Sequence, residues 1–227
     1  MYKHEKKQRI YEQFARVSKA LAAPARLELL DLLVQGERSV DELATEGELS
    51  IANTSQHLQV LHGARLVDSR RAGQRIYYRL AGESVERLLQ ALRHTAEAEL
   101  AELDQVARDY LDGRDDFEPI ERAELVRRLR TGSAILIDVR PRREYEAGHI
   151  EGARSVPLGE LEAFARRAPK RRTVVAYCRG PYCVFALDAV KMLRRRGIDA
   201  VRSEDGVSEW RLAGLPVAAG AAEERAP

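Results

Sequence analysis

Over the first eighty residues apolar side chains return every three or four positions, whereas over the last hundred they gather into short unbroken runs. Ile10, Phe14, Val17 and Leu21 keep helical spacing and predict an amphipathic first helix. Pro24 stands where a second helix can start, and "ARLELLDLLVQG" supplies its apolar face before Gly36 ends it. Ser39 followed by Glu42 is a capping-box pattern that opens "VDELATE", and Gly47 breaks that short helix. Ser50 is the expected N-cap of "IANTSQHLQVLHGARL", after which "LVDSRRAGQRIYYRL" alternates around Gly73 as a hairpin does.

From Ser84 to Leu111 the stripe Val85, Leu88, Leu92, Ala96, Leu100, Leu103, Ala107 and Tyr110 predicts one long helix. Nothing near it in sequence is long enough to cover that stripe, so it is expected to pair with its copy in a homodimer. "DGRDDFEP" reads as a polar linker, and beyond it "AILIDV" and "TVVAYC" are β-branched runs suited to a buried parallel sheet. Helical stretches around Leu125, Phe164 and Val190 alternate with them, which is an α/β pattern. The expected organisation is a mainly α domain over 1–111, a linker over 112–117, an α/β domain over 118–218 and a disordered tail over 219–227.

Composition changes this picture little. At 44% apolar and 33% charged, the chain has the balance of a globular protein. No apolar run approaches the ~18 residues of a membrane span, and "MYKHEKKQRI" is too polar for a signal peptide, so no membrane partner and a cytoplasmic location are expected. Charge is more informative: residues 1–80 carry a net +3, residues 81–116 a net −6 and residues 117–227 a net +5. An acidic segment between two basic ones marks a modular chain. Only two cysteines occur, Cys178 and Cys183, and in a reducing compartment they point to reactivity or metal before scaffolding.

A short helix, a tight turn, a polar-faced helix and a basic hairpin form the order of a winged helix-turn-helix, whose second helix enters the major groove. On that helix Ile51, Leu58 and Leu61, with Leu66 beyond it, are expected in the core, leaving Asn53, Thr54, Ser55, Gln56, His57 and Gln59 on the outer side to read bases or phosphates. Arg70, Arg71 and Arg75 in the wing are candidates for neutralising phosphate. The stretches "LAAPARLELLDLL", "SIANTSQHLQVLHGARLV" and "RRAGQRIYYRL" resemble the ArsR/SmtB family of dimeric bacterial repressors, which implies binding to an imperfect palindrome in double-stranded DNA. The chain departs from that family at its sensing sites. Where many members carry a Cys-x-Cys ligand pair, this sequence has Ser39 and Asp41, poor ligands for soft ions. Of a second family site on the last helix, His94 and Glu97 remain, but the other half reads Ala81 and Glu83. No metal site and no cofactor are therefore expected.

Three further stretches, "LIDVRPRREYEAGHIEGARSVPL", "VVAYCRGPYCVFALDAVKMLRRRG" and "EDGVSEWRLAGLPV", resemble a rhodanese domain in family order. The resemblance implies that Cys178 is the sulfur-carrying nucleophile and that Asp138, Arg140, Glu144 and His149 brace the fold around its loop. The residues Arg179, Gly180, Pro181, Tyr182 and Cys183 lead from the strand into a helix, where backbone N–H groups and the helix N-terminus favour a thiolate or persulfide anion. Arg179 either attracts an anionic sulfur donor or faces solvent. Rhodanese-related phosphatases close a longer loop with arginine; here Cys183 and Val184 stand at the candidate closing positions, so phosphate has no bidentate donor. Cys183 is either a small apolar filler or a resolving thiol.

The expectation is thus a two-domain chain, a mainly α winged helix-turn-helix followed by an α/β rhodanese-like domain with a parallel sheet. Its expected function is that of a homodimeric repressor sensing reactive sulfur through persulfidation of Cys178. A sulfane-sulfur donor such as persulfide, polysulfide or thiosulfate would be its small partner. The alternative is an active sulfurtransferase with an attached DNA-binding module.

Overall fold

The computed structural model describes residues 2–111, 118–169 and 171–221. The expected linker over 112–117 and the last six residues of the expected tail lie outside the described residues. Two compact units divide the chain, Met1–Leu92 and Arg93–Pro227.

The first unit runs through α1 (Tyr2–Leu21), α2 (Pro24–Val34), β1 (Arg38–Ser39), α3 (Val40–Glu46), α4 (Ile51–Gly63), β2 (Val67–Ala72) and β3 (Arg75–Leu80), then enters α5 (Glu83–Glu99). Its sheet has the order β1-β3-β2, all antiparallel, with Ala72 opposite Arg75 across a two-residue turn. Gly73 takes φ +61° in that turn, a conformation that costs glycine little. The capping box is present: Glu42 N–H donates to Ser39 Oγ at 3.3 Å, and Ser39 N–H to Glu42 Oε2 at 2.7 Å. Leu29, Leu30 and Leu33 of α2 pack with Leu43, Leu58, Leu61 and Leu66 into one core. Arg38 is buried beneath it, donating to the Leu32 carbonyl at 2.9 Å near the end of α2 and to Glu46 at 3.0 Å.

Two expectations here are corrected. The stripe from Ser84 to Leu111 does not form one helix: α5 stops at Glu99 and α6 (Ala101–Leu111) begins after Leu100. Leu103 N–H bonds the Leu100 carbonyl at 2.9 Å, an i→i+3 turn that tightens the junction without proline or glycine. Ile51 is 57% exposed rather than in the core, because it is the first residue of α4 and precedes the buried row Thr54, Leu58, Leu61.

The second unit continues with α7 (Arg122–Arg130), β4 (Ala134–Asp138), α8 (Arg142–Ala147), β5 (His149–Ile150), β6 (Arg154–Ser155), a 3-10 turn at Leu158–Glu160 and α9 (Leu161–Ala165). It closes with β7 (Thr173–Tyr177), α10 (Val184–Arg195), β8 (Ala200–Arg202), α11 (Val207–Leu212) and β9 (Val217–Ala218). The main sheet is parallel in the order β6-β4-β7-β8, and β5 pairs with β9 antiparallel. Every residue of β4 and β7 is buried. Ile135, Ile137, Val174 and Ala176 meet Ala189, Val190 and Leu193 of α10 on one side, while Leu136, Val175 and Tyr177 meet Leu125, Tyr145 and Trp210 on the other. That two-sided burial is why both strands read as unbroken apolar runs. Gly220 N–H still donates to the Glu146 carbonyl at 2.8 Å, so the chain is held at least to that residue.

Candidate functional site

Helix α4 is capped by Ser50, whose hydroxyl accepts from Asn53 N–H at 3.2 Å. Asn53, Gln56 and Gln59 lie exposed along it, with Ser55 and His57 half-buried. Thr54 is not on the outer side as expected. It is fully buried, in line with Leu58 one turn on, and its hydroxyl donates to the Ser50 carbonyl at 3.0 Å. In the wing, Arg70 forms a two-point ion pair with Glu37 and lies 4.8 Å from the Tyr77 ring. Arg70's hydrogen bond holds the Glu37 carboxyl below its ordinary value. Arg71 turns back to the Gly73 carbonyl at 3.1 Å, and Arg75 is exposed at the wing turn. Of the three wing arginines, Arg75 is thus the one with neither an acidic partner nor a backbone partner among these contacts.

The second cluster forms where β7 ends. Cys178 follows the last residue of this central strand and is 2% exposed. Ligands of parallel α/β sheets gather at such carboxyl ends. Residues 179–183 are half-buried and deliver the chain to α10, with Cys183 as its N-cap. The sulfurs of Cys178 and Cys183 are bonded to each other, with 6.1 Å between the Cα atoms. This separation falls within the usual range for a disulfide. Cys183 N–H donates to the Gly180 carbonyl at 3.1 Å, so one backbone donor expected to face an anion is engaged inside the loop. Arg179 is half-buried, and its guanidinium pairs with the buried Glu144, through Nε at 3.1 Å and through Nη2.

Beneath the loop Asp138, Arg140, Glu144 and His149 are all buried. Arg140 grips Asp138 through Nε and Nη2 and donates to the Gly148 carbonyl at 2.7 Å. Tyr177 donates to Asp138 at 2.6 Å and accepts from Ile150 N–H at 3.1 Å. Burial, with the Asp138 charge beside it, pushes the Tyr177 hydroxyl well above its ordinary pKa and keeps it a donor. His149 stacks on Tyr145 at 3.7 Å and bonds the Tyr145 carbonyl through Nδ1. Each of these polar groups bonds its neighbours, as structural groups around a loop do.

Comparisons with known proteins agree with this division. The bacterial regulatory protein, arsR family, matches residues 23–69, and the rhodanese-like domain matches residues 121–213. The HTH-type transcriptional regulator Rv0324 of Mycobacterium tuberculosis is 47% identical over 217 residues, 96% of this chain and 95% of that regulator. The chain belongs to the arsR-family HTH-type transcriptional regulators, with a rhodanese-like domain. The biofilm growth-associated repressor of Agrobacterium fabrum is 47% identical over 74 residues, 33% of this chain and 63% of that protein. A solution structure from Mycobacterium bovis, described as a homodimeric winged helix-turn-helix DNA-binding domain, is 45% identical; it covers 42% of this chain and 89% of that one, with a TM-score of 0.40.

Several residues of this arsR-family regulator carry the loop without having stood out in its sequence. Gly206 is pressed against the loop: a Cβ placed there would lie 2.8 Å from the Cys178 carbonyl oxygen and 2.9 Å from that of Arg179, so only glycine fits. Glu209 accepts from Gly206 N–H at 2.9 Å and, through its other oxygen, from Arg93 Nη2 at 2.7 Å. Tyr182 donates to Glu97 at 2.8 Å. The pattern "DGVSE", a glycine three residues before a glutamate at a helix start, was the one legible signal for Glu209. Nothing local marks Arg93, since its partner lies 116 residues away. Among the described residues no group of three or more His, Cys, Asp or Glu could hold a metal ion, and no helix is long and apolar enough to cross a membrane.

Proposed function

We propose that this regulator is a homodimeric cytoplasmic repressor that detects reactive sulfur at Cys178, with Cys183 as the resolving thiol. The supporting observation is the placement of both cysteines of the chain at the two ends of one loop, 6.1 Å apart at Cα and bonded. In the first step the Cys178 thiolate attacks a sulfane sulfur of a polysulfide, takes it as a persulfide and releases the shortened polysulfide. In the second the Cys183 thiolate attacks the inner sulfur of that persulfide. A Cys178–Cys183 bond forms, the persulfide S–S bond breaks and hydrosulfide departs with the electron pair. Two thiols are oxidised and one sulfane sulfur is reduced to sulfide, so the pair records exposure to sulfur without further reactants. Arg179 holds Glu144, Gly180 and Pro181 shape the turn, and Tyr182 fastens it.

DNA is read by Asn53, Ser55, Gln56, His57 and Gln59 on α4, with Arg75 and Arg71 against phosphates; Arg70 braces the wing through Glu37. Exposed Ile10 and Phe14 on α1 and Leu88 and Leu92 on α5 form the apolar surface that a second copy covers. Leu100, expected in that surface, falls at the break between α5 and α6.

Mass spectrometry of the 178–183 peptides after polysulfide treatment, run beside an operator-binding titration, tests the reading. Wild type should form the intramolecular link and change operator affinity. Cys183→Ser should hold persulfide on Cys178 and respond weakly or irreversibly. A DNA response without any link would leave Cys178 as sensor alone. Sulfur transfer to an added thiol over many cycles, with operator affinity unmoved, would favour the sulfurtransferase reading instead.

A further inference from the structure

The cysteine loop is fastened at both ends to one face of α5. At the Cys178 end, the carbonyls of Cys178 and Arg179 press on Gly206, whose N–H is held by Glu209, and Glu209 holds Arg93 at 2.7 Å. At the Cys183 end, the adjacent Tyr182 donates to Glu97 at 2.8 Å. Arg93 and Glu97 stand one helical turn apart and face each other at 3.6 Å, so the two fastenings meet. Gly180, at φ +150°, brings the backbone between them: a Cβ there would lie 3.7 Å from Arg93 Nη1 and 3.8 Å from Glu209 Oε1. Arg93 Nε is buried and makes no hydrogen bond among the described residues, so the guanidinium bonds Glu209 through Nη2 and faces Glu97 without a hydrogen bond.

We propose that Arg93 and Glu97 are the residues through which α5 reads the state of the Cys178–Cys183 loop. The inference rests on the sulfur-sensing reading and adds the route by which that signal leaves the loop. Opening a disulfide replaces a bond with van der Waals contact, so the two sulfurs must move apart. Cys178 cannot supply that movement, because β7 is paired on both sides and buried along its length. The half-buried residues from Gly180 to Cys183 supply it, and Tyr182 moves with them. Its bond to Glu97 is the contact most directly exposed to the change, and Arg93 is the charge Glu97 turns to when that bond is lost. Helix α5 is continuous from Glu83 to Glu99, and the exposed Leu88 and Leu92 immediately precede the pair. A shift at Arg93 and Glu97 therefore reaches residues of the apolar surface along one helix, with the bridged and open loop as the two states that coupling between sites requires.

The experiment compares operator affinity of the full-length chain with the loop bridged by polysulfide and with it reduced by a phosphine. The variants are Glu97→Ala, Glu97→Gln and Arg93→Ala, and completeness of the 178–183 link is verified by mass. Wild type should show about a fivefold or larger difference between the two states. In Glu97→Ala and Arg93→Ala the difference should fall within about twofold of none, with the link still complete and the reduced proteins binding operator as wild type does. Glu97→Gln keeps an acceptor for Tyr182 and should retain most of the difference. Hydrogen exchange over residues 93–99 should slow on bridging in wild type and not in Glu97→Ala. An undiminished affinity difference in both alanine variants, with the link formed, overturns the inference and leaves the sensing reading standing. A wild type that bridges fully without any change in operator affinity overturns both.

Discussion

Helix α4 presents Asn53, Gln56 and Gln59 to solvent above a buried core, whereas the cysteine loop follows a buried strand and leaves Cys178 2% exposed. The difference follows the size of what each must meet. Under the proposed function, a duplex is larger than the unit that would read it, so its contacts must protrude, whereas a sulfur atom would be met inside a turn of six residues. The buried arginines repeat the contrast. Arg38 pairs with a carboxylate, Glu46, whose side chain is 30% exposed, while Arg140 pairs with Asp138, which is fully buried. Water can take over for Arg38. It cannot for Arg140, so the second unit is built around a charge pair that must stay whole.

The largest effect that would break this comparison comes from Cys178→Ser. It should abolish every response to sulfane sulfur and hold operator affinity at that of the reduced wild type, because serine's hydroxyl neither ionises near neutrality nor carries a persulfide. A titration showing that the variant still responds would move the sensing function out of the loop. Next, Arg140→Ala should cost about 3–5 kcal/mol, leaving the Asp138 carboxylate buried without its cation. The single tryptophan, Trp210, is buried in that unit, so urea unfolding followed by its fluorescence reads the loss. Arg38→Ala should cost about 1–3 kcal/mol, the range for leaving a buried acceptor such as the Leu32 carbonyl unpaired. It should appear in far-ultraviolet dichroism and not in the tryptophan transition. Equal losses would erase the distinction between the two units.

On the exposed face of α4, Gln56→Ala should lower discrimination between operator and altered bases by about 1–3 kcal/mol. Arg75→Ala should weaken binding to all sequences and reduce the salt slope by about one unit. If Arg70→Ala changed the salt slope as much as Arg75→Ala, the ion pair with Glu37 would not be keeping Arg70 from phosphate. The smallest effect concerns pH. Burial, and then the hydrogen bond to Glu97, push the Tyr182 hydroxyl up to about 12. Its neutral, donating form is the one favoured by the fold, so the Tyr182–Glu97 bond contributes fully below the ordinary tyrosine pKa and is lost as pH rises through about 12. Tyrosinate absorbance of wild type and Tyr182→Phe should therefore coincide up to about pH 10; an early difference would place the hydroxyl in water.

Much of this was legible from short-range patterns. The capping box at Ser39, the helix start at Pro24, the hairpin about Gly73 and the strands "AILIDV" and "TVVAYC" each follow from a local rule, because capping, turn φ and side-chain period involve residues a few positions apart. The polar face of α4 and the placement of both cysteines at the ends of one loop were visible for the same reason, while the bond between them was left open. Thr54 and Ile51 were misplaced because periodicity fixes which residues share a face, while the angle at which a helix meets its core fixes where that face ends. The single long helix expected from Ser84 to Leu111 failed at Leu100, where no sequence signal marks the i→i+3 turn. Tertiary structure alone decided the partners of the charged residues: Arg179 with Glu144, Arg70 with Glu37, Arg93 with Glu209. Charge pairing across 33 to 116 positions leaves no period in the chain. It appears only when folding has removed the water that would otherwise have satisfied each group alone.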